Sequence, residues 1–140
     1  IGITSMKLAT EEIEGMGFAI PINDVKNYVT YLEKGEEIKR PSIGISVINT
    51  SDRYSLYMNN ISVNTSDTGV VIAKVESGCS AEKAGLKKGD VITKFDDNKV
   101  TSISTLRYYL YQYKTGDTIK VTYIRDGKEN TLDMKLIEKD

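Results

Sequence analysis

The chain turns from a helix into a strand within nine residues, Ala84-Gly85-Leu86-Lys87-Lys88-Gly89-Asp90-Val91-Ile92. Ser80 can cap the preceding helix, 81–84, and Gly85 ends it because glycine readily takes the left-handed conformation of a helix C-cap. A turn at Gly89 then leads into an apolar run that is typical of a buried strand. These residues predict a short helix, a tight turn and a core strand in direct succession.

Short strands and helices continue on both sides of this stretch. Further apolar runs predict strands at 43–47, 70–75, 119–125 and 131–137. Asp126-Gly127 joins the last two as a typical hairpin turn. Ser102 starts a helix to residue 113 with one apolar stripe, formed by Ile103, Leu106, Leu110 and Tyr113. Residues 42–138 thus predict one compact α+β domain of five to six short strands and two helices.

The first forty residues are organised differently. Apolar runs at 1–3 and 17–22 predict two strands with a polar loop between them. Two strands alone cannot bury a useful core, so we expect this pair to be the edge of a larger sheet and to self-associate through 1–22. A linker helix from Asn23 or Asp24 and a charged connector complete 23–40. The expected parts are therefore 1–22, 23–40 and 41–138.

Composition excludes several classes of function. The 140 residues include no histidine and one cysteine, Cys79, which excludes Ser-His-Asp and Cys-His catalysis and imidazole- or cysteine-rich metal sites. Nineteen basic and twenty acidic side chains give a net charge of -1, which does not favour nucleic acid or anionic lipid. We therefore expect a binding domain that uses no cofactor or metal and binds no nucleic acid.

The segment Arg40-Pro41-Ser42-Ile43-Gly44-Ile45-Ser46 is the most suggestive for binding chemistry. A glycine between two branched residues lets the N–H groups of Ile43, Gly44 and Ile45 point into one concavity, where they can bind a peptide's terminal carboxylate. Arg40 would assist the carboxylate directly or through water. The alternative is a plain core strand with one glycine for close packing. Residues 42–45 are named the carboxylate loop below.

The remaining residues of the predicted site lie on the following strand and on the helix from Ser102. Ser46 and Val47 would pair with the peptide backbone as an added strand. The pocket for the ligand's last side chain would be lined by Ile43, Ile45, Leu106 and Leu110. Either side of the apolar stripe is compatible with facing the core. The assignment of Leu106 and Leu110 to the pocket therefore depends on which side faces the groove.

The order of these segments resembles a PDZ domain of the bacterial, circularly permuted type. The resemblance rests on the stretches 69–75, 80–92, 102–106 and 116–121, and it spans nearly all of 42–138. It implies a partly open β-barrel or sandwich, preceded here by the strand pair and the linker helix. It also implies that the partners are peptide or protein C-termini with an apolar last residue.

The first 23 residues resemble a more specific group of proteins. Residues 1–3 and 15–23 look like the last two strands of the trypsin-like domain of HtrA/DegP serine proteases, and the linker helix and Arg-Pro segment follow as in that family. The resemblance implies a membrane-anchored, extracytoplasmic parent endopeptidase in protein quality control and stress response, with its protease domain as a partner. The family's Gly-Asn-Ser-Gly-Gly motif is absent here, so no residue of this chain is expected to be catalytic. The alternative is a stand-alone PDZ adaptor.

Departures from the family's pattern include residues at the starts of both predicted helices of this domain. Cys79-Ser80 stands where the family usually has a proline, which implies a different local rigidity. Thr105 replaces the acidic residue that commonly completes a capping box with Ser102, which predicts a modestly weaker helix start. Neither departure is expected to touch the carboxylate loop.

Overall fold

The computed structural model describes residues 2–7, 17–22, 25, 29, 32–35, 41–63 and 68–137. The chain divides into two compact units, Ile1–Ile38 and Lys39–Asp140. In the first unit, β1 (Gly2–Lys7) pairs antiparallel with β2 (Gly17–Pro21), and Ile3 lies opposite Ile20. Positions 22, 25, 29, 32 and 33 are helical, whereas the expected helix start at 23–24 lies outside the described residues.

The described residues of the second unit form one antiparallel sheet and three helices. The sheet has the order β3-β4-β5-β7-β8, with β6 paired to β5, so β3 is an edge strand. The predicted α+β class is confirmed, with one helix more than expected. No helix in the described part of the chain is long and apolar enough to cross a membrane. The elements are β3 (Ile45–Asn49), α1 (Arg53–Met58), β4 (Val70–Val75), α2 (Ser80–Ala84), β5 (Val91–Phe95), β6 (Asn98–Lys99), α3 (Ile103–Leu110), β7 (Thr118–Arg125) and β8 (Lys128–Lys135).

Strand β4 of the second unit begins with residues that are buried on both faces of the sheet. Val70 and Ile72 of β4 belong to the larger core cluster, whose helix residues come from α2 and α3. Val71, between them, belongs to a smaller cluster with Leu56 of α1. Successive side chains of a strand point to opposite faces, so burial on both faces explains why residues 70–73 of β4 are a continuous apolar run.

Helix α2 begins one residue earlier than predicted. Cys79 is its N-cap, and the Cys79 Sγ accepts a hydrogen bond from the Glu82 N–H at 3.4 Å. Ser80 is the first helical residue and is buried, and its Oγ accepts from the Ile137 N–H at 2.9 Å. Gly85 ends the helix in the left-handed conformation, with φ of 89°. The expected C-cap is confirmed, and the expected N-cap at Ser80 is wrong.

Helix α3 begins at the predicted residue with a complete capping box. Ser102 Oγ accepts from the Thr105 N–H at 3.2 Å, and Thr105 Oγ1 accepts from the Ser102 N–H at 2.9 Å. The Thr105 hydroxyl therefore completes the capping box without an acidic side chain, and the modestly weaker helix start stays a prediction. The helix ends at Leu110, so Tyr113 lies beyond it, and its hydroxyl donates to Asp96 instead.

An ion pair between a buried carboxylate and a half-buried arginine holds the turn at Gly89 against β7. Asp90 is 1% exposed, and its carboxylate accepts from the Lys87 N–H at 2.7 Å. Arg125 donates to both Asp90 oxygens at 2.7 Å and to the Gly85 carbonyl at 2.9 Å. The Asp90 hydrogen bond raises the pKa of Arg125 above its ordinary value. This bidentate pair fixes the turn that separates α2 from β5.

Candidate functional site

A groove of about 490 Å³ lies between the edge strand β3 and helix α3. It brings together seven of the eight predicted site residues: Ile43, Gly44, Ile45, Ser46, Val47, Leu106 and Leu110. Arg40, the eighth, lies outside the described residues. The remaining groove lining consists of Pro41, Ser42, Ile103, Arg107 and Tyr111.

The carbonyl groups of residues 42–44 all point to one side of the carboxylate loop. They accept, in chain order, from Ser80 Oγ at 3.5 Å, from the Ala81 N–H at 3.1 Å and from the Glu76 N–H at 2.9 Å. In a trans peptide unit, the N–H of the next residue points opposite to the carbonyl. The N–H groups of residues 43–45 are therefore directed away from α2 and toward the groove that these residues line.

Gly44 occupies a position that only glycine fits. Its φ is 69°, in the left-handed region, and a Cβ added there would lie 2.2 Å from the Cys79 Cβ. The Cys79 thiol also donates to the Gly44 carbonyl at 3.4 Å. The expectation that position 79 does not touch the carboxylate loop is therefore wrong. Gly44 provides both the turn in the backbone and the close packing that the alternative interpretation invoked.

The register of β3 against β4 shows which main-chain groups face the open edge. The Glu76 N–H bonds to the Gly44 carbonyl, which makes Ile45 and Val75 a non-hydrogen-bonded pair. At the other end of β3, the Thr50 N–H bonds to the Gly69 carbonyl in the same pattern. The main-chain groups of Ile45 thus point away from β4.

Alternation along β3 gives Val47 the same outward direction as Ile45, whereas Ser46 pairs with Lys74 of β4. The groups available to an added strand therefore belong to Ile45 and Val47. The prediction that Ser46 takes part in strand pairing is revised, since its main-chain groups face β4. Its exposed side chain still lies along the groove.

The groove has an apolar floor and a defined direction. Ile43, Leu106 and Leu110 are at most 6% exposed and belong to the main core cluster. The Ile103 N–H donates to Asn49 Oδ1 at 2.9 Å, so α3 begins beside the end of β3. The C-terminal end of α3, about 11 Å further along its axis, therefore lies toward the carboxylate loop. The predicted choice of helix face, with Leu106 and Leu110 inward, agrees with this arrangement.

Three lining residues on α3 and its C-cap were not among the predicted site residues: Ile103, Arg107 and Tyr111. They follow one another at intervals of four and form a second stripe beside Leu106 and Leu110. That spacing was the available signal in the sequence. Arg107 and Tyr111 are exposed, so the stripe forms the solvent-facing rim of the groove.

The chemistry that the groove offers is that of binding. Its described lining provides main-chain N–H donors, an apolar floor, the hydroxyl groups of serine and tyrosine, and one guanidinium. None of the described lining residues is an acid or a cysteine. Among the described residues, no cluster of three acidic, cysteine or histidine side chains is arranged to hold a metal.

Comparison with known proteins agrees with this geometry. The family model described as PDZ domain matches residues 41–136. The chain is 47% identical, over 142 residues, to the serine protease Do-like HtrA of Lactococcus lactis subsp. lactis (strain IL1403), covering 97% of this chain and 35% of that protein. It is 40% identical over 144 residues to the protein of the same name in Bacillus subtilis (strain 168), covering 100% of this chain and 32% of that protein.

The structural comparison gives the same fold. A structure of the HtrA-type protease AlgW with a decapeptide aligns with a TM-score of 0.76 at 21% identity, covering 100% of this chain and 42% of that chain. The chain spans about a third of the length of the curated relatives that it matches.

Proposed function

This chain belongs to the PDZ domain family, and we propose that its groove binds the free C-terminus of a peptide whose last side chain is apolar. The observation that carries the proposal is the one-sided bonding of the carboxylate loop. All three carbonyl groups of residues 42–44 are bonded on the side away from the groove, which leaves the following N–H groups to face an anion. Successive N–H groups in such a concavity bind carboxylates.

The rest of the ligand extends along β3. Ile45 and Val47 direct their main-chain groups to the open edge, where an antiparallel peptide strand adds to the sheet. The last side chain of the ligand enters the apolar pocket between Ile43 on one wall and Leu106 and Leu110 on the other. The fold of AlgW, which this chain shares, is seen with a decapeptide and with a tripeptide.

We also propose that the chain is a part of an HtrA-type serine endopeptidase, in which the groove recruits substrate or regulates proteolysis in protein quality control. The support is the similarity of nearly the whole chain to HtrA proteases, beyond the PDZ match at 41–136. Ile3 and Ile20, which are 50% and 46% exposed, provide an apolar surface on the strand pair. The remaining strands of a protease domain would pack on this surface, or a second copy of the chain would associate through it. We further propose that the parent protein is anchored in a membrane and lies outside the cytoplasm.

The binding proposal is tested with two peptides that differ only at the C-terminus. A fluorescent octapeptide ending in valine with a free carboxylate is titrated with the 140-residue chain, alongside its amidated twin. The amide lacks the charge that the N–H groups receive, so we expect at least about tenfold weaker binding. Equal affinities would exclude carboxylate recognition.

The proposal that the parent protein is a serine endopeptidase is tested on the gene that encodes this chain. A segment encoding Gly-Asn-Ser-Gly-Gly shortly before Ile1, with a histidine and an aspartate codon further upstream, supports the endopeptidase. A reading frame without them supports the stand-alone adaptor instead.

A further inference from the structure

We infer that Asn49 is a positioning residue, which fixes the spacing between the end of β3 and the start of α3 so that the groove holds a peptide segment longer than three residues. The inference rests on the proposed function, because it concerns the length of the bound peptide segment. Asn49 lies at one end of the groove, and its side chain is not part of the groove lining. It therefore acts on the ligand through the two walls that it connects, without touching the ligand itself.

The Asn49 side chain accepts from a main-chain donor that the helix itself cannot satisfy. The first N–H groups of a helix have no acceptor within it. In α3, the Ser102 side chain accepts from the Thr105 N–H at 3.2 Å, which leaves the Ile103 N–H to another acceptor. Asn49 Oδ1 accepts from that N–H at 2.9 Å, across 54 positions of the sequence. The bond thus joins the last residue of β3 to the first residue of α3.

The end of β3 is a firm base for this side chain. The Asn49 carbonyl accepts from the Asp52 N–H at 3.0 Å, and Asn49 lies opposite the fully buried Val70 of β4. The next residue, Thr50, is bonded twice to Gly69, because its N–H donates to the Gly69 carbonyl at 3.1 Å and its Oγ1 accepts from the Gly69 N–H at 3.2 Å. These bonds hold the Asn49 backbone against β4, so its side-chain bond transmits a fixed position to the start of α3.

The spacing of the two walls decides how much of a peptide the groove holds. An added strand lies about 4.8 Å from β3, bonds to its main chain and places alternate side chains against α3. It makes both contacts at once only where the walls stand at the matching separation. Beside the carboxylate loop, Ile43 and Leu110 set that separation, since both are buried in one core cluster. At the other end Ile103 is only partly buried, and the bond to Asn49 supplies the fixed contact there.

A ligand reaches this second end only if it is longer than three residues. Ile103 and Leu110 are the first and last residues of α3, about 11 Å apart along the helix axis. An extended peptide advances about 3.3 Å per residue, so a peptide whose last residue lies beside Leu110 needs about three further residues to reach the level of Ile103. A tripeptide therefore stays in the part of the groove near the carboxylate loop, whereas an octapeptide extends past the bond between Asn49 and Ile103.

The test compares two peptides on variants of the 140-residue chain. An N-acetylated octapeptide that ends in Thr-Ala-Val with a free carboxylate, and the acetylated tripeptide of the same ending, are titrated by NMR, which also measures weak affinities. Asn49→Leu keeps the size of the side chain and removes the acceptor. We expect it to weaken octapeptide binding by about three- to tenfold, the worth of one hydrogen bond, and to leave the tripeptide affinity within about twofold. Asn49→Ser, whose hydroxyl is too short to reach the Ile103 N–H, is expected to give the same result.

Asn49→Asp and Asn130→Leu are the matched controls. Asn49→Asp retains an acceptor for the Ile103 N–H, and we expect it to bind both peptides within about twofold of the wild type. Asn130→Leu makes the same substitution on β8, outside the groove lining, where the amide donates to the Lys128 carbonyl at 2.8 Å. It removes one hydrogen bond and leaves both affinities unchanged. Amide hydrogen exchange checks the bond itself, since exchange at Ile103 accelerates in Asn49→Leu and not in Asn49→Asp.

The ratio of the two affinities separates positioning from stability and from the proposed function. A purely structural role of Asn49 lowers the melting temperature and weakens both peptides by the same factor. If the ratio of octapeptide to tripeptide affinity in Asn49→Leu equals that of the wild type, the inference is refuted and binding of the free C-terminus stands. If neither peptide binds the wild-type chain, the proposed function fails and the inference fails with it.

Discussion

Gly44 and Cys79 are in direct contact across the base of the carboxylate loop. The thiol donates to the Gly44 carbonyl at 3.4 Å, and a Cβ on residue 44 would lie 2.2 Å from the Cys79 Cβ. The same sulfur accepts from the Glu82 N–H as the N-cap of α2. The start of α2 and the loop that faces the ligand are therefore one packed unit, and a change on either side is felt by the other.

Gly44→Ala is expected to abolish peptide binding and to lower stability. The left-handed φ costs alanine about 1–2 kcal/mol, and the contact with Cys79 adds to this because the loop must shift to relieve it. Urea denaturation measures the stability, and titration with the free-acid peptide measures binding. A variant that binds within about threefold of the wild type contradicts the role of the loop.

Gly127→Ala is the matched control for this prediction. Its φ of 74° is close to that of Gly44, but no atom lies within 4 Å of the added Cβ. We expect a similar backbone cost of about 1–2 kcal/mol and unchanged peptide affinity. The difference between the two variants isolates the contact with Cys79.

A proline scan tests the register of β3. The Val47 N–H faces the open edge, so Val47→Pro removes no bond to β4 and is expected to weaken peptide binding with a small loss of stability. The Ser46 N–H faces Lys74, so Ser46→Pro breaks the sheet and costs about 2 kcal/mol or more. Circular dichroism during urea denaturation gives both stabilities. Equal destabilisation of the two variants contradicts the assigned register.

The turns and caps that were predicted correctly are those that depend on a few adjacent residues. The turn at Gly89, the hairpin at Asp126-Gly127 and the glycine C-cap at Gly85 each depend on a few adjacent residues, and all are observed. The grouping of the carboxylate loop with Leu106 and Leu110 was predicted together with the resemblance of the segment order to PDZ domains, and all of these residues line the groove.

What the sequence did not reveal depends on contacts between distant residues. The N-cap at Cys79 was missed because sulfur is an uncommon cap and its position is fixed by Gly44, 35 residues away. The direction of the Ser46 main chain depends on its pairing with Lys74, and a shift of one residue would reverse it. Arg107 was missed as a lining residue because the predicted site followed the apolar stripe of the helix, whereas Arg107 belongs to the neighbouring stripe that begins at Ile103.

Asp90→Ala is expected to destabilise the domain by about 2–4 kcal/mol. The substitution leaves the Lys87 N–H and the Arg125 guanidinium without their buried acceptor. Asp133→Ala, at an exposed position of β8, removes the same charge and is expected to change stability by less than about 0.5 kcal/mol. The free energies of unfolding from urea titrations compare the two. A loss below about 1 kcal/mol for Asp90→Ala contradicts the structural role of the pair.

Because folding raises the pKa of Tyr113, we expect the domain to lose stability in alkaline solution. Burial, followed by the hydrogen bond to Asp96 and the charges of Asp96 and Asp117, raises the pKa of Tyr113 from 10.0 to about 12. Between these values the unfolded chain releases the phenolic proton and the folded chain retains it, so the contribution of Tyr113 is complete below pH 10 and is lost as the pH rises to about 12. Tyr113→Phe removes this titration, so the stability gap between wild type and variant should narrow over the same range. The exposed Tyr108, replaced in the same way, provides the control, and we expect its gap to stay constant. Parallel stability curves for wild type and Tyr113→Phe between pH 10 and 12 would show that folding does not raise the pKa of Tyr113.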